Sequence, residues 1–399
     1  MTQIIVIDQH PLQDSRIQRH IQYVHTKGYT VYRININRKL FPQQSSVVPG
    51  MIPCYVLGEA ITTNPKINSA FYNMKAFLGM FQQFHQIVEV LGLKLTEKTI
   101  VHVHDPILLP YASKIMHCFE EAKLVYDRHE VYENRSAWLP HIYLPAIGRF
   151  AEIMTCKKIS GVITVADSYC DAVEKLFPQA KVESVPNYPV LSEYNTDKIL
   201  SKIKHVNHKT TLNFIYVGSL NWNNDRDIGL LLYLFDELQS ENYNIKFIIG
   251  GKTDDKLLLN ELSHRQQQYP EKCIYMGYIS HDKVIQLTEE AHFGFFLIRP
   301  ETDYWVLSSP NKVFEYLRCG VMPILRVKCT CEAELTKCSL WFERNDSKEY
   351  ILDEIKKRFN DPTKIQEMMM CAYRMSEMFS YENVAKRYLL IYDDLLGLE

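Results

Sequence analysis

The sequence has almost no net charge, because 45 Lys and Arg residues against 47 Asp and Glu residues leave only −2. Such a chain has no overall field that attracts a polyanion, so nucleic acid is not an expected partner. No apolar run approaches the ~20 residues that span a bilayer. The first residues also lack the basic and long apolar segments of a secretory signal peptide. We therefore expect a cytoplasmic protein.

The ten cysteines have neither the spacing of a disulfide framework nor that of a zinc site. In a chain of this length, scattered cysteines are typical of a reduced, intracellular protein. The single cluster, Cys329, Cys331 and Cys338, lacks paired C-x-x-C spacing and a nearby fourth ligand. The sequence therefore predicts no disulfides, no metal site and no bound cofactor.

Strand-like and helical segments alternate along the chain. With 399 residues it is too long for one ordinary core. Short apolar runs such as Gln3–Ile7 alternate with helical patterns, and the alternation restarts at 212 after a Pro-containing break at 185–189 and a polar stretch at 192–210. This pattern favours parallel sheets covered by helices on both faces. We predict an α/β protein with two Rossmann-like domains, at residues 1–190 and 191–380, and a terminal helix at 381–399.

One helical pattern, at residues 67–93, is strongly apolar on one side. Its apolar residues recur at steps of three and four: Phe71, Met74, Leu78, Phe81, Phe84 and Val88. A stripe of this kind usually packs on a core. The alternative is that the stripe and the neighbouring Lys66 and Lys75 rest on a membrane surface. The pattern alone leaves both interpretations open, so peripheral contact with the inner face of the membrane stays an alternative.

The segment from Ser308 to Ile324 reads as a helix that could bind an anion. Ser308 or Ser309 is a suitable N-cap and Pro310 suits the first turn. A helix N-terminus offers free N–H groups and a positive dipole end, which favour phosphate. Lys312 adds a full charge, and Glu315 lies one turn further on the same face, where it could accept hydrogen bonds from ribose hydroxyls. Spacing alone equally allows a capped surface helix with an incidental Lys–Glu pair.

The same segment resembles the donor-binding signature S-P-x-K-x-x-E-Y-x-x-x-G-x-P of GT-B glycosyltransferases, especially the retaining family-4-like enzymes. The resemblance continues in Phe214–Leu220 with Asp225–Ile228, and in the loop Gly277–Ile279. Val185–Asn187 is similar to the hinge of that family. The resemblance implies a GT-B fold with two domains facing a cleft and a terminal helix that crosses back to the first domain. It also implies that the donor-binding residues are Gly218, Ser219, Arg226, Tyr278, Ile279, Ser309, Asn311, Lys312 and Glu315.

Three short motifs in the first half resemble the same family. Val101–Pro106 is similar to its H-x-H-[DE]-P strand end, which implies that His104 faces the donor sugar. Without the resemblance, a lone buried histidine is more often a hydrogen-bonded core residue. Asp14–Arg16 and Tyr126–Glu130 are similar to the D-x-R and D-x-H-E segments, which implies an acceptor side that contains Asp14, Arg16, Arg128, His129 and Glu130. The implied catalytic residues are His104, Arg226 and Lys312.

Two positions depart from the family pattern. Leu307 stands where many members have the first glutamate of an E-x7-E motif, and Ser219 stands where many have arginine. The resemblance implies a transferase that uses a UDP- or GDP-sugar, a glycan or lipid-linked acceptor and no metal, with retention, in surface polysaccharide synthesis. A sugar-nucleotide epimerase of the same fold and a non-catalytic scaffold are the alternatives, and Leu307 is the best argument for the scaffold.

Overall fold

The structure of the chain is a computed structural model that describes residues 2–36, 47–48, 52–57, 65–78, 84–129, 143–300, 309–327, 329 and 331–398. The chain forms two compact units. Unit 1 contains Met1–Pro186 together with Val384–Glu399, and unit 2 contains Asn187–Asn383. No helix within the described ranges is both long enough and apolar enough to cross a membrane.

Unit 1 is built on an eight-stranded sheet. Its strands are β1 (Thr2–Asp8), β2 (Thr30–Ile36), β3 (Val47–Val48), β4 (Ile52–Leu57), β5 (Lys98–His104), β6 (Ala122–Asp127), β7 (Ile159–Thr164) and β8 (Lys181–Ser184). They lie in the order β3-β4-β2-β1-β5-β6-β7-β8, and all neighbours are parallel except β3 and β4. The central strands are runs of buried aliphatic residues, as a parallel sheet covered on both faces requires.

Helices cover this sheet. They are α1 (Ser15–Thr26), α2 (Pro65–Phe77), α3 (Phe84–Leu91), α4 (Leu109–Met116), α5 (Tyr143–Thr155) and α6 (Cys170–Leu176). The Asp14 carboxylate caps α1 by accepting hydrogen bonds from the N–H groups of Arg16 and Ile17. The prediction of one helix over 67–93 is wrong, because α2 ends at Phe77 and α3 begins at Phe84. Gly79 follows in the sequence, and glycine disfavours a helix interior.

Unit 2 repeats the plan with six parallel strands. They are β9 (Leu212–Val217), β10 (Ile245–Gly250), β11 (Cys273–Tyr275), β12 (Phe293–Leu297), β13 (Met322–Arg326) and β14 (Leu340–Trp341), in the order β11-β10-β9-β12-β13-β14. Phenylalanine rings fix the centre of the sheet, since Phe214 stacks 4.6 Å from both Phe247 and Phe293. The core of unit 2 therefore lies around the three central strands.

The first helix of unit 2 lies inside the polar stretch at 192–210. The helices of this unit are α7 (Thr196–Lys204), α8 (Ile228–Ser240), α9 (Lys256–Gln268), α10 (His281–Glu290), α11 (Asn311–Arg318), α12 (Glu332–Leu335), α13 (Lys348–Phe359) and α14 (Pro362–Met375). Sequence patterns indicate no helix in this polar stretch, but Ile199 and Ile203 of α7 are buried in the core of unit 2. Two apolar side chains four positions apart form one buried face of α7, which polar neighbours mask in the sequence.

The single terminal helix predicted over 381–398 is instead two helices, α15 (Tyr381–Val384) and α16 (Lys386–Leu396). Helix α16 packs on the sheet of unit 1. Gly161 on β7 makes this contact close, since a Cβ there would lie 2.7 Å from Ile391 Cδ1. Lys98 Nζ donates a hydrogen bond to the Leu396 carbonyl at 2.9 Å. Residues 386–396 therefore complete the domain that residues 1–186 begin.

Candidate functional site

The sheet of unit 1 reverses its direction of growth between β1 and β5. The chain passes from β1 to β2 on one side, whereas β5 lies on the other side of β1. In an open α/β sheet such a point leaves a crevice beyond the carboxyl ends of the strands, where ligands bind. Asp8 ends β1, His104 ends β5 and Asp127 ends β6. The polar residues of unit 1 therefore collect where the topology places a binding site.

Asp127 is the centre of this polar cluster. Its carboxylate accepts two hydrogen bonds from Arg16 on α1, from Nε at 3.1 Å and from Nη2 at 2.8 Å. Arg16 Nη1 also donates to the Val185 carbonyl at 2.8 Å. Burial of Asp127 opposes ionisation, but the charge of Arg16 holds the pKa of that carboxyl well below its usual range. Asp127 is therefore a carboxylate with a fixed position.

Three histidines surround Asp127, namely His102, His104 and His129. His104 Nδ1 lies 3.4 Å from Asp127 Oδ2 and 2.7 Å from His129 Nε2, and His102 Nε2 lies 3.7 Å from the same carboxylate oxygen. His102 and His104 lie two residues apart on β5, so both project from the same face of the strand. Burial lowers the pKa of His102, His104 and His129 and favours their neutral rings. The predicted site residues Arg16, His104 and His129 are thus brought together.

His10 lies at the outer edge of the cluster, stacked on His129 with ring centroids 5.4 Å apart. Burial disfavours a charge on His10, but the Asp105 carboxylate, 2.8 Å from its Nε2, raises the pKa of His10 to about 9 with help from Asp14. His10 is therefore a cation at neutral pH. Sequence analysis missed it, although its position two residues after β1 was a usable signal.

Two predicted acceptor residues have other roles in the structure, and one lies outside the described residues. Asp14 caps α1. Arg128 is fully buried and its Nε donates to Glu152 Oε1 on α5 at 2.8 Å, so its guanidinium does not join the Asp127 cluster. Successive residues of a strand end alternate between faces, which turns Arg128 away from Asp127. Glu130 lies outside the described ranges.

The sheet of unit 2 has the same kind of reversal, between β9 and β12. Gly218 and Ser219 follow β9, and Ile298 follows β12. Arg226 lies beside both strand ends. It forms a backbone bridge with Ile298, its Nη1 donates to Asp225 Oδ2 at 2.9 Å, and its guanidinium carbon lies 4.8 Å from the centre of the Phe296 ring. The predicted residues Gly218, Ser219 and Arg226 are therefore neighbours at this crevice.

Helix α11 begins at the same edge of unit 2. Lys312 Nζ donates to Glu315 Oε2 at 2.8 Å, so these two predicted residues are paired. The expectation that Ser309 caps this helix, with Pro310 in its first turn, is wrong, and Ser308 lies outside the described residues. The N-cap is Pro310, and within the described ranges no side chain caps α11 and Ser309 Oγ is buried without a partner. Because Pro310 already has an extended backbone with ψ of 95°, the helix begins only at Asn311, with an uncapped first turn.

The third predicted donor segment follows β11. Gly277 has φ of 60°, Tyr278 is 81% exposed, and the Ile279 side chain packs over Gly250 at the end of β10. The Tyr278 ring is therefore open to solvent in the loop that follows β11. Ile279 instead belongs to the packing that holds the loop on the sheet.

No protein-family model matches the chain, and no curated protein sequence matches it. Solved structures do match over the full length. A sucrose-phosphate synthase from Thermosynechococcus elongatus superposes with a TM-score of 0.73 at 13% identity, and the match covers 100% of both chains. A UDP-forming α,α-trehalose-phosphate synthase from Burkholderia xenovorans has a TM-score of 0.68 at 11% identity over 99% of both chains.

HepE of Anabaena, solved with UDP-glucose, has a TM-score of 0.64 at 13% identity, and the match covers 99% of this chain and 100% of HepE. The chain has the GT-B fold. The fold prediction is thus confirmed. At these identities the likeness concerns the backbone, so the residues of the site have to be judged by their own geometry.

Two residues at the crevice of unit 2 were missed by sequence analysis. Gly251 follows β10 with φ of 149°, and a Cβ there would lie 2.1 Å from the Gly218 carbonyl oxygen. Only glycine therefore lets the loops after β9 and β10 meet. Arg299 follows β12 and donates to the Trp222 and Arg226 carbonyls, which ties two loops together. A basic residue directly after a strand at the reversal point was the available signal for Arg299.

Proposed function

We propose that this chain is a glycosyltransferase that moves a sugar from a nucleoside diphosphate sugar, UDP- or GDP-linked, to a glycan or lipid-linked acceptor. One observation carries the proposal. The uncapped first turn of α11, the Lys312–Glu315 pair and Arg226 lie at the strand ends around the reversal point of unit 2. Positive charge, a helix N-terminus and a carboxylate one turn away are the groups that a diphosphate linked to a ribose requires.

Each group of unit 2 takes one part of the donor in this proposal. Glu315 accepts hydrogen bonds from the ribose hydroxyls, and Lys312 and Arg226 balance the charge of the diphosphate. Ser309 and Asn311 lie at the start of α11, where their polar groups are near the phosphates. Gly218 and Ser219 let the backbone approach the diphosphate, while Tyr278 and Ile279 contact the base. The 2.8 Å Lys312–Glu315 pair holds both side chains in place before the donor binds.

The transfer step needs stabilisation of the leaving diphosphate. As the bond between the sugar C1 and the phosphate oxygen breaks, negative charge grows on that oxygen beside Lys312, Arg226 and the positive end of α11. The acceptor hydroxyl oxygen bonds to C1, and the leaving phosphate takes the hydroxyl proton. We propose retention of configuration and an acceptor from surface polysaccharide synthesis, both by resemblance to the family-4-like enzymes.

Unit 1 provides the remaining residues of the proposal. Asp14, Arg16, His129, Arg128 and Glu130 form the acceptor side by resemblance. Arg128 acts there through its pair with Glu152, since its own guanidinium is buried. His104 is fully buried, so it orients the donor sugar through His129, whose ring it holds at 2.7 Å.

Nucleotide release tests the function. The full chain is incubated with UDP- and GDP-sugars, with and without a crude glycan acceptor pool. Acceptor-dependent release of UDP or GDP is expected. Conversion of a donor without nucleotide release would show an epimerase, and the absence of donor binding would leave only the scaffold alternative.

Glu315→Ala tests the site with a matched control. The substitution is expected to remove most activity because the ribose loses its acceptor. Glu367→Ala is the control, since Glu367 pairs with Lys364 at 3.2 Å with the same spacing of three residues but on the exposed surface of α14. Near-normal turnover of Glu315→Ala would contradict the assignment of the donor site.

We also propose that an apolar surface of unit 1 rests on an anionic membrane. Phe77 and Phe150 join α2 to α5 with ring centroids 5.9 Å apart. Five apolar side chains on these helices or directly after α2 are 48% to 58% exposed: Met74, Leu78, Phe150, Ile153 and Met154. Lys75, Lys157 and Lys158 lie on the same helices or next to them. Exposed apolar groups bordered by lysines are typical of interfacial binding.

Vesicle sedimentation tests this surface. The chain is expected to sediment with vesicles that contain phosphatidylglycerol and less with pure phosphatidylcholine. The double variant Phe150→Ser with Ile153→Ser is expected to lose binding, whereas Leu257→Ser, an exposed apolar residue of unit 2, is expected to keep it. Equal sedimentation of both variants would contradict the proposal.

A further inference from the structure

Three histidines meet in the interior of unit 1. His20 comes from α1, and His102 and His104 come from β5, and none of them has exposed surface. The ring centroids of His20 and His102 are 4.2 Å apart, and those of His102 and His104 are 4.8 Å apart. One ring nitrogen from each histidine lies within 4.8 Å of one from each of the others. Nitrogens that bind one Zn²⁺ ion at about 2.0–2.1 Å lie closer together than this, so the rings would move inward on metal binding.

Each ring also has one nitrogen without a close hydrogen-bond partner within the described residues: His20 Nδ1, His104 Nε2 and His102 Nε2, the last of which faces the Asp127 carboxylate at 3.7 Å. A buried polar atom without a partner costs about 1–3 kcal/mol. Buried polar groups of folded proteins are nearly always satisfied, so three open nitrogens in one cluster require an explanation.

The opposite nitrogens of the rings are held firmly. The Tyr392 hydroxyl oxygen on α16 lies 2.7 Å from His20 Nε2 and 2.6 Å from His102 Nδ1. His104 Nδ1 lies 2.7 Å from His129 Nε2. A ligand histidine that is fixed through its other nitrogen is the usual arrangement around bound metal ions, because that bond sets the ring's orientation and tautomer. Tyr392 can accept N–H bonds from both rings and leave a lone pair on each.

We propose that His20, His102 and His104 bind one divalent transition metal ion, with Zn²⁺ the best suited. Three neutral imidazoles are a common zinc ligand set, and a water molecule can complete the tetrahedron. The Asp127 carboxylate, 3.7 Å from His102 Nε2, supplies negative charge beside the ion. The proposal does not depend on the transfer reaction, because the site would tie α1, β5 and the Tyr392 helix together whatever the chain catalyses.

A second group, His104 with Asp127 and His129, is the weaker candidate for the ion. Its atoms also lie within 4.8 Å of one another. The Asp127 carboxylate, however, is already engaged by both Arg16 nitrogens, and His104 Nδ1 already bonds to His129. A metal ion there would break these bonds, whereas His20 Nδ1, His102 Nε2 and His104 Nε2 form no close hydrogen bond that the ion would replace.

Metal content tests the proposal on the full chain. The chain is expressed with added Zn²⁺, dialysed against a weak chelator and measured by elemental analysis, and a second sample carries Co²⁺ instead. We expect about one Zn²⁺ per chain and the strong visible bands of four-coordinate Co²⁺. Removal of Zn²⁺ with a strong chelator is expected to lower Tm by roughly 5 °C or more. A chain that holds less than about a tenth of an equivalent of either metal would overturn the site.

Variants locate the ion. His20→Gln and His102→Gln are each expected to lower zinc content at least about tenfold, since each removes one of three ligands. His117→Gln, which replaces an exposed histidine at the end of α4, is the control and is expected to keep the metal. Retention of zinc by the two ligand variants, or equal loss in the control, would overturn the assignment. If the ligand variants do not fold, the Co²⁺ spectrum of the unaltered chain still shows whether the chain binds a four-coordinate metal ion.

Discussion

Arg16 and Asp127 form a buried, two-bonded ion pair between α1 and the end of β6. The carboxylate has no exposed surface, and the two N–O distances are 3.1 and 2.8 Å. Loss of one partner of such a pair destabilises the fold, because the remaining partner would be a buried charge without a counter-charge.

Asp127→Asn is therefore expected to lower the free energy of unfolding by about 3–5 kcal/mol, measured by urea denaturation. Asp236→Asn is a matched control, since Arg265 also binds Asp236 through two nitrogens, at 2.8 and 2.6 Å, but on the surface of unit 2. The control is expected to lose less than about 1 kcal/mol. Equal losses would mean that burial does not decide the strength of the pair.

Lys312→Met tests the charge beside the leaving diphosphate. Removal of one group that faces developing negative charge is expected to lower kcat by about 10²–10³-fold. Lys364→Met removes the lysine of a pair with the same spacing on α14 and is expected to leave kcat unchanged. Steady-state kinetics with the preferred donor checks both variants, and a fall confined to KM would assign Lys312 to donor binding alone.

Gly251→Ala tests the junction of the loops after β9 and β10. The added Cβ would lie 2.1 Å from the Gly218 carbonyl oxygen, so the loops must separate. Gly277→Ala is the control, because Gly277 also has positive φ but open space around it. The control is expected to cost about 1–2 kcal/mol of unfolding free energy, from backbone strain alone. Gly251→Ala is expected to lose more unfolding free energy than Gly277→Ala, measured by thermal unfolding, and to bind the donor more weakly. Equal losses of unfolding free energy in the two variants would contradict the close contact between the loops.

His292 makes the stability of unit 2 sensitive to acid. Burial, aided by Lys202, lowers the pKa of His292 from 6.5 to about 3, and its Nδ1 accepts the Asn213 N–H at 3.1 Å. Between pH 6.5 and about 3 the unfolded chain binds a proton that the folded chain does not, so stability falls as pH falls through this window. His292→Gln is expected to remove up to about 1.4 kcal/mol per pH unit from that slope.

Urea unfolding at several values between pH 4 and 6 checks this slope. The exposed His208 provides the control variant His208→Gln, which is expected to keep the slope of the unaltered chain. A His292→Gln chain with an unchanged slope would show that His292 is not the group responsible.

Sequence patterns could predict those parts of the fold in which the apolar residues of a segment are also the residues that the structure buries. Strands such as β9 and β10 are mostly apolar, with Asn213 and Lys246 as their polar members, and β9 begins at Leu212, where the sequence predicts that the alternation restarts. Helix α7 was missed because only two of its side chains reach the core. The start of α11 was misjudged because a serine before a proline imitates a cap, whereas the helix begins beyond Pro310.

The site could be predicted only in part, for a different reason. Lys312 and Glu315 are close in sequence, so helical spacing alone indicates their pairing. Tyr392 reaches His20 and His102 from a helix that is hundreds of residues away along the chain. No local pattern contains such a contact. The clash that makes Gly251 necessary is likewise set by the meeting of two loops, which only the assembled sheet brings about.

The return of α16 to unit 1 has a consequence for synthesis on the ribosome. Residues 1–186 emerge first, but the surface around Gly161 that α16 covers stays open until residues 386–396 have been translated. Unit 2 is a continuous segment that can fold as soon as it leaves the exit tunnel. The first domain of the nascent chain therefore stays incomplete even after the whole second domain has been translated. A ribosome that stalls before Lys386 leaves a product with an uncovered apolar face, which chaperones or proteases can bind.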